Sequence, residues 1–241
     1  MLIRADSTTI VVPVPAENLA FNRYLASLHE RDPFTESGPV AVMIEASLPG
    51  HQQSRVLAIR QTNDSERSEY IVLESEGDAS VTQQVIEPYL AVREQIEDLP
   101  FSTVAITPAN YKFRYVGESH TPEGSAFVFR IMPKKRRSGL IRGQLWIDSV
   151  SGVAVVQAGY LVKTPRASIH RMEMVRYTKL QDGKPCSRIT RVAIRTRGAA
   201  RGYLKMTEFP PADVAGSVAA IESWVRTSAA TRSEAGSIAF R

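Results

Sequence analysis

A single cysteine, Cys186, stands among the 241 residues. That excludes an intrachain disulfide framework and a multi-cysteine zinc site. No apolar run approaches the ~20 residues that a bilayer-spanning helix needs. Aromatic residues make up only 7% of the chain, which leaves few stacking platforms for a nucleic acid and no aromatic-rich RNA-binding strand. The nucleophile motif G-x-S-x-G, a glycine-rich phosphate loop and the zinc motif H-E-x-x-H are all missing. His29, His51, His120 and His170 fall on different elements without metal-ligand spacing. Cys186 follows a turn at Pro185 and carries no sign of thiolate activation. The expectation is therefore a protein with no catalytic set, no metal and no cofactor.

What is present is an ordinary globular composition, 43% hydrophobic and 23% charged, long enough to bury a sizeable core. The charges are unevenly placed. Residues 1–109 carry 7 Lys/Arg against 16 Asp/Glu, and residues 110–205 carry 20 against 5, a local net of −9 followed by +15. Such a dipolar chain suits an anionic surface, and it equally suits two parts that complement each other in one fold. Met1 to Asp6 shows no basic segment followed by an apolar one of the secretory kind. Either the protein is cytoplasmic, or this start lies downstream of a removed or misplaced signal.

Periodicity orders the chain as helix, strands, helix and a long run of strands. Phe21, Tyr24, Leu25 and Leu28 share one helical face after Pro15, predicting a helix over 15–30 that ends at Asp32-Pro33. Val40, Val42, Ile44, Ala46 and Leu48 then alternate as in a half-buried strand, with further strands at 54–61 and 68–75. Ser80 and Gln83 form a capping-box pattern that opens a second helix over 80–99. Its stripe is Val81, Val85, Tyr89, Val92, Ile96 and Leu99, and Pro88 should kink or divide it. Strands are predicted at 110–118, 125–133, 140–149, 153–163, 168–180, 186–197 and 202–209, too closely spaced for crossover helices. Pro210-Pro211 introduces a further helix with Val214, Val218, Ile221 and Trp224, and residues 227–241 read as a flexible tail. The fold class is α+β, one domain over 1–226 in which a curved antiparallel sheet is closed by two or three helices.

A sheet wrapped around helices buries one face and can leave an apolar hollow. Strand alternation selects Phe113, Tyr115, Phe127, Phe129, Leu145, Ile147, Met172 and Met174 as candidate lining, the alternative being that they form a filled core. Asp148, ending a strand before a turn, suits capping of the backbone. Lys134-Lys135-Arg136-Arg137 falls between two strands and reads as a solvated hairpin tip, the alternative being a nuclear-localisation or nucleic-acid-binding patch.

The pieces Ala105-Ile106-Thr107-Pro108-Ala109-Asn110-Tyr111-Lys112-Phe113, Phe127 to Lys135, Gly143-Gln144-Leu145-Trp146-Ile147-Asp148, Gly159 to Pro165 and Met172 to Tyr177 stand in a characteristic order. In that order and spacing, Ala105 to about Phe209 resembles the LolA-like superfamily of bacterial outer-membrane lipoprotein-sorting proteins, most of all its acidobacterial-type members. The resemblance implies a half-barrel with a cavity for acyl chains of lipoproteins or lipids, in the periplasm or at the outer membrane. Under it the basic run is an ordinary family hairpin and no nucleic acid is expected as partner. An anionic membrane surface or a membrane partner protein remains compatible, as does an envelope sensor or interaction module on the same fold.

Overall fold

The structure, a computed structural model, describes residues 14–28, 34, 38–62, 68–121, 124–196 and 200–209. Outside them lie the first residues, His29, and the expected features at Asp32-Pro33, after Pro210-Pro211 and over 227–241.

Helix α1 (Ala16–Ser27) follows Pro15, whose extended backbone forms the N-cap without a side-chain bond. Strands β1 (Val40–Ser47), β2 (Ser54–Thr62) and β3 (Ser68–Gly77) come next. A helical stretch then runs through α2 (Ala79–Val81), a π-helical turn (Thr82–Ile86) and α3 (Glu87–Glu97). After the short α4 (Phe101–Val104), seven strands complete the described residues: β4 (Tyr111–Thr121), β5 (Gly124–Pro133), β6 (Ile141–Asp148), β7 (Ala154–Leu161), β8 (Ile169–Gln181), β9 (Lys184–Thr196) and β10 (Arg201–Phe209).

All ten strands belong to one antiparallel sheet in the order β3-β2-β1-β10-β9-β8-β7-β6-β5-β4. The meander runs from β4 to β10, and β10 then pairs with β1, so the N-terminal strands extend the sheet beyond its last strand. The sheet does not close on itself; β3 and β4 are its edges. This is the curved, open α+β half-barrel that the sequence predicts.

Two local expectations are corrected and one is refined. The second helix is capped by Asp78, whose side chain accepts the Ser80 N–H at 2.8 Å, so the cap lies two residues before Ser80. At Pro88 the helical stretch divides, as expected, into segments of different geometry. Pro88 has no N–H to donate and crowds the carbonyl four residues earlier. The preceding turn widens to π geometry, with the Glu87 N–H reaching Thr82 O, and α3 begins with Pro88 in its first turn. Strand β1 is buried on both faces, because Ala41 and Met43 are as enclosed as Val42 and Ile44.

Side chains on the helix-bearing face form two apolar clusters. One gathers Val42, Ile44, Val56, Met172, Val192, Ile194, Leu204 and Met206 under Val81, Val85, Ile86, Tyr89 and Val92. The other packs Ala20 and Tyr24 of α1, with Phe21, Leu25 and Leu28, onto Tyr111, Phe127, Phe129, Ile131, Leu145 and Ile147. Each large side chain so buried contributes about 1.5–3 kcal/mol. Gly202 is where the second helix seats, because a Cβ there would stand 2.6 Å from Val85. Gly143 pairs with Gly159 between the clusters, and a Cβ on Gly143 would fall 1.9 Å from Ala158 O. Only two glycines allow β6 and β7 to approach so closely, which is the mark of a tight corner in a sheet.

Polar groups also lie under the second helix. Glu208 is fully buried, and its Oε1 receives Arg93 at 2.8 Å with Arg60 at 3.5 Å. Arg93 also bonds Glu97 at 2.7 Å, one turn further along α3. Burial alone would raise the Glu208 pKa, but the positive charges of Arg93, then Arg60, Arg188 and Arg176, hold it at about 2. Burial pushes Arg60 down, with Arg93 beside it adding to the effect. Arg93 moves the other way, because the field of Glu208 overcomes its desolvation.

Candidate ligand groove

The eight candidate lining residues separate. Phe113, Phe127, Phe129, Leu145 and Ile147 meet under α1, where Phe21 stacks edge-on against Phe113 at 4.8 Å and lies 5.3 Å from Phe129. Tyr115 is exposed, its ring 5.6 Å from Phe129. Met172 is buried in the other cluster, and Met174 packs beside it. Of the eight, Met174 alone contributes to the principal cavity.

That cavity is a groove of about 730 Å³ that crosses β1, β10, β9, β8 and β7. Cross-strand register decides which face it occupies. Glu45, Lys205, Arg191, Val175 and Ala158 lie in one row, and Ser47, Tyr203, Ala193, Glu173 and Tyr160 in a second, two residues along each strand. Both rows line the groove. Between them runs the row Ala46, Leu204, Val192, Met174 and Gly159, whose side chains belong to the opposite face and whose backbone forms the floor. Leu204 and Val192 belong to the cluster beneath the second helix. The groove therefore lies on the face away from the helices, opposite to the face chosen from sequence. The aromatic candidates belong to one parity of each strand, and the groove side chains belong to the other.

The groove lining mixes apolar side chains (Val175, Ala158, Ala193) and the rings of Tyr160 and Tyr203 with charged ones (Glu45, Lys205, Arg191, Glu173 and Arg201). Glu45 binds Lys205 Nζ at 2.9 Å. Glu173 holds Arg171 Nε at 2.7 Å through one oxygen and Arg201 through the other. Arg171 lies over the Tyr160 ring at 4.8 Å, Arg201 over Tyr203 at 5.6 Å, and Arg191 over Tyr177 at 5.9 Å. No histidine or cysteine is among the described residues that line it. Among the described residues no group of three His, Cys, Asp or Glu side chains could hold a metal ion.

Other singled-out residues have structural employment. Asp148 Oδ1 accepts the Ser151 N–H at 2.7 Å, the Ser151 hydroxyl at 2.6 Å and the Val150 N–H at 3.2 Å, the turn-capping role expected of it. The basic run is the exposed hairpin loop between β5 and β6 that the sequence suggests, with three of its side chains tied down. Lys134 donates to Pro108 O, Arg136 Nε donates to Val162 O at 2.9 Å, and Arg137 donates to Asn110 Oδ1 at 2.9 Å. Asn110 is itself buried, and its amide donates to Ser102 O and Ala105 O. His51 is 3.1 Å from Asp78 beside the helix cap, His120 and His170 are exposed, and Cys186 is half-buried.

No family model matches the chain, and no curated protein matches it. Among solved structures it is similar to a LolA superfamily protein from Nitrosomonas europaea, with 13% identity, a TM-score of 0.35, and coverage of 80% of this chain and 92% of the other. It is also similar to an S-type phycobiliprotein lyase from Guillardia theta, with 10% identity, a TM-score of 0.32, and coverage of 80% and 96%. Both are distant likenesses.

Proposed function

We propose that this chain is a non-enzymatic binding or carrier protein of the bacterial cell envelope, holding an acyl chain of a lipid or lipoprotein in the groove of the helix-free face. The observation that supports this reading is the groove itself, about 730 Å³ and predominantly apolar, with several charged side chains in its lining. Small-molecule sites fall between roughly 300 and 1,000 Å³, mostly apolar with a few placed polar groups. Each methylene withdrawn from water adds about 0.8 kcal/mol, so a groove without specific bonds to the chain still binds it. The acyl chain and the envelope location come from the family that Ala105 to Phe209 resembles. A carrier needs an exchangeable apolar surface, and the packed cluster under α1 offers none.

Enzymatic use of the groove would require a nucleophile, a base and an orienting group within hydrogen-bond reach. Its two carboxylates, Glu45 and Glu173, are instead both engaged by cations. The test is titration with a fluorescent fatty-acyl probe. Ala158→Trp places a large ring against the groove wall and should weaken the probe at least tenfold. Wild-type affinity in a folded Ala158→Trp protein would refute the site. Phe129→Asp is a poor substitute, because it buries a carboxylate among the packed rings under α1.

A further inference from the structure

At the Arg201 end of the groove, three arginines stand side by side on adjacent strands. Arg201 of β10 pairs in register with Arg195 of β9, and Arg195 with Arg171 of β8. Together with Glu173 and Ala193 they line a second concavity of about 160 Å³. Arg201, Glu173 and Ala193 line the groove as well, so the two cavities adjoin. Like charges placed directly opposite across strands are destabilising. Here three cations face a single carboxylate, and that carboxylate, Glu173, already bridges Arg171 and Arg201. Arg195 is exposed and forms no ion pair among the described residues.

The two outer guanidiniums are held in place before any ligand arrives. Each has one bond to Glu173 and one ring beneath it, Tyr160 under Arg171 and Tyr203 under Arg201. Glu173 engages Nε of Arg171 and one terminal nitrogen of Arg201, so other N–H donors remain on both. Planar guanidinium groups with spare donors match the oxygens of phosphate better than a lysine would.

We infer that this arginine row is a phosphate-type oxyanion subsite that receives the headgroup of the ligand whose apolar chain lies in the groove. The inference rests on the groove reading given above. It adds a polarity to the site: the chain runs from the arginine row toward Glu45 and Lys205, where a carboxylate already occupies the cation. It also separates the arginines of this face from those around Glu208, which serve the core.

Calorimetric titration of the whole protein with dodecyl phosphate, dodecanol and inorganic phosphate tests the subsite. Dodecyl phosphate should bind at least about tenfold more tightly than dodecanol, the scale of one charge-assisted hydrogen bond. Arg195→Ala should remove most of that advantage and leave dodecanol unchanged, and Arg195→Lys should restore part of it. Arg195 is exposed, so both variants should keep the fold. Dodecyl phosphate bound equally by wild type and Arg195→Ala, but lost in Ala158→Trp, would overturn the subsite while leaving the groove in use. Inorganic phosphate bound as tightly as dodecyl phosphate and weakened by Arg195→Ala would support the oxyanion site and overturn the acyl groove instead. Equal binding of dodecanol and dodecyl phosphate would overturn the subsite outright.

Discussion

Glu208→Gln isolates the electrostatic contribution to this fold. The substitution keeps the side chain's size and one acceptor oxygen but removes the charge that Arg93 meets at 2.8 Å and Arg60 at 3.5 Å. Both arginines are then left largely desolvated, with Glu97 as the remaining carboxylate of the cluster. Breaking a buried pair by removing one partner costs about 3–5 kcal/mol. A second route gives a similar figure. Against the ordinary glutamate value of about 4.3, the folded-state pKa of about 2 corresponds to about 3 kcal/mol of preferential stabilisation of the charged form. For a chain of this size 1 kcal/mol moves the melting temperature by roughly 2–4 °C, so a fall of about 6–20 °C at pH 7 is expected. The pH dependence has a definite sign. A depressed carboxylate pKa stabilises the fold above the unfolded value and loses that contribution as pH falls through the folded one. The gap between wild type and Glu208→Gln should therefore be full above pH 5 and shrink progressively toward pH 2. Thermal unfolding followed by circular dichroism at several pH values measures it. A Glu208→Gln protein within 2 °C of wild type at pH 7, or a gap that stays constant down to pH 2, would refute the reasoning.

Other substitutions probe single contacts. Gly202→Ala sets a methyl 2.6 Å from the buried Val85, so about 1–3 kcal/mol should be lost, and adding Val85→Ala should recover part of it in a double-mutant cycle. Asp148→Ala removes three acceptor bonds from the β6–β7 turn; a loss of about 1–2 kcal/mol is expected, and an unchanged urea midpoint would contradict the capping role. Tyr24→Phe deletes the hydroxyl that donates to Ile106 O at 3.0 Å, at a cost of about 1 kcal/mol. The Tyr24 phenol is raised above its usual range by burial and then by Tyr111. Alkaline spectrophotometric titration should consequently show a tyrosine that ionises only as the protein unfolds.

Much of the fold was legible because the chain marks its elements strongly. Alternation and turn residues located all seven strands from 110 to 209 within a few residues of where they lie. The stripe Val81, Val85, Tyr89 and Val92 identified the buried face of the second helix. What escaped depended on contacts distant in sequence. Capping by Asp78 was hidden by the more conspicuous Ser80 and Gln83. Ala20 and Ile86 carry too little pattern, or stand beside a π turn that shifts the helical phase, and both are buried. The joining of β1 to β10 is a pairing across some 160 residues, which no local signal encodes. The site was least legible. Half-polar rows such as Glu45, Lys205, Arg191 and Val175 look like an ordinary solvated face until the register sets them beside one another.

Register also explains the basic excess of residues 110–205, which is not one patch. Along β8, β9 and β10 the period of two sends arginines to opposite sides of the same sheet. Arg176 and Arg188 share rows with Gln157, Thr190 and Glu208 on the helix-bearing side, where a buried carboxylate gathers positive charge. Arg171, Arg191, Arg195 and Arg201 belong to the other side, around the groove and its end. The charge that looked like one attraction to anions thus divides into a share around the buried Glu208 and a share around the groove. Strand alternation makes that division, since adjacent residues cannot serve the same face. Lys205 and Met206 show it within a single peptide: the ammonium meets Glu45 at the groove rim, and the thioether is fully buried beside Arg93. A binding surface could therefore be built on the outer parity of β8–β10 without disturbing the packed parity beneath it, while the aromatic-rich strands β4–β6 remained committed to holding α1.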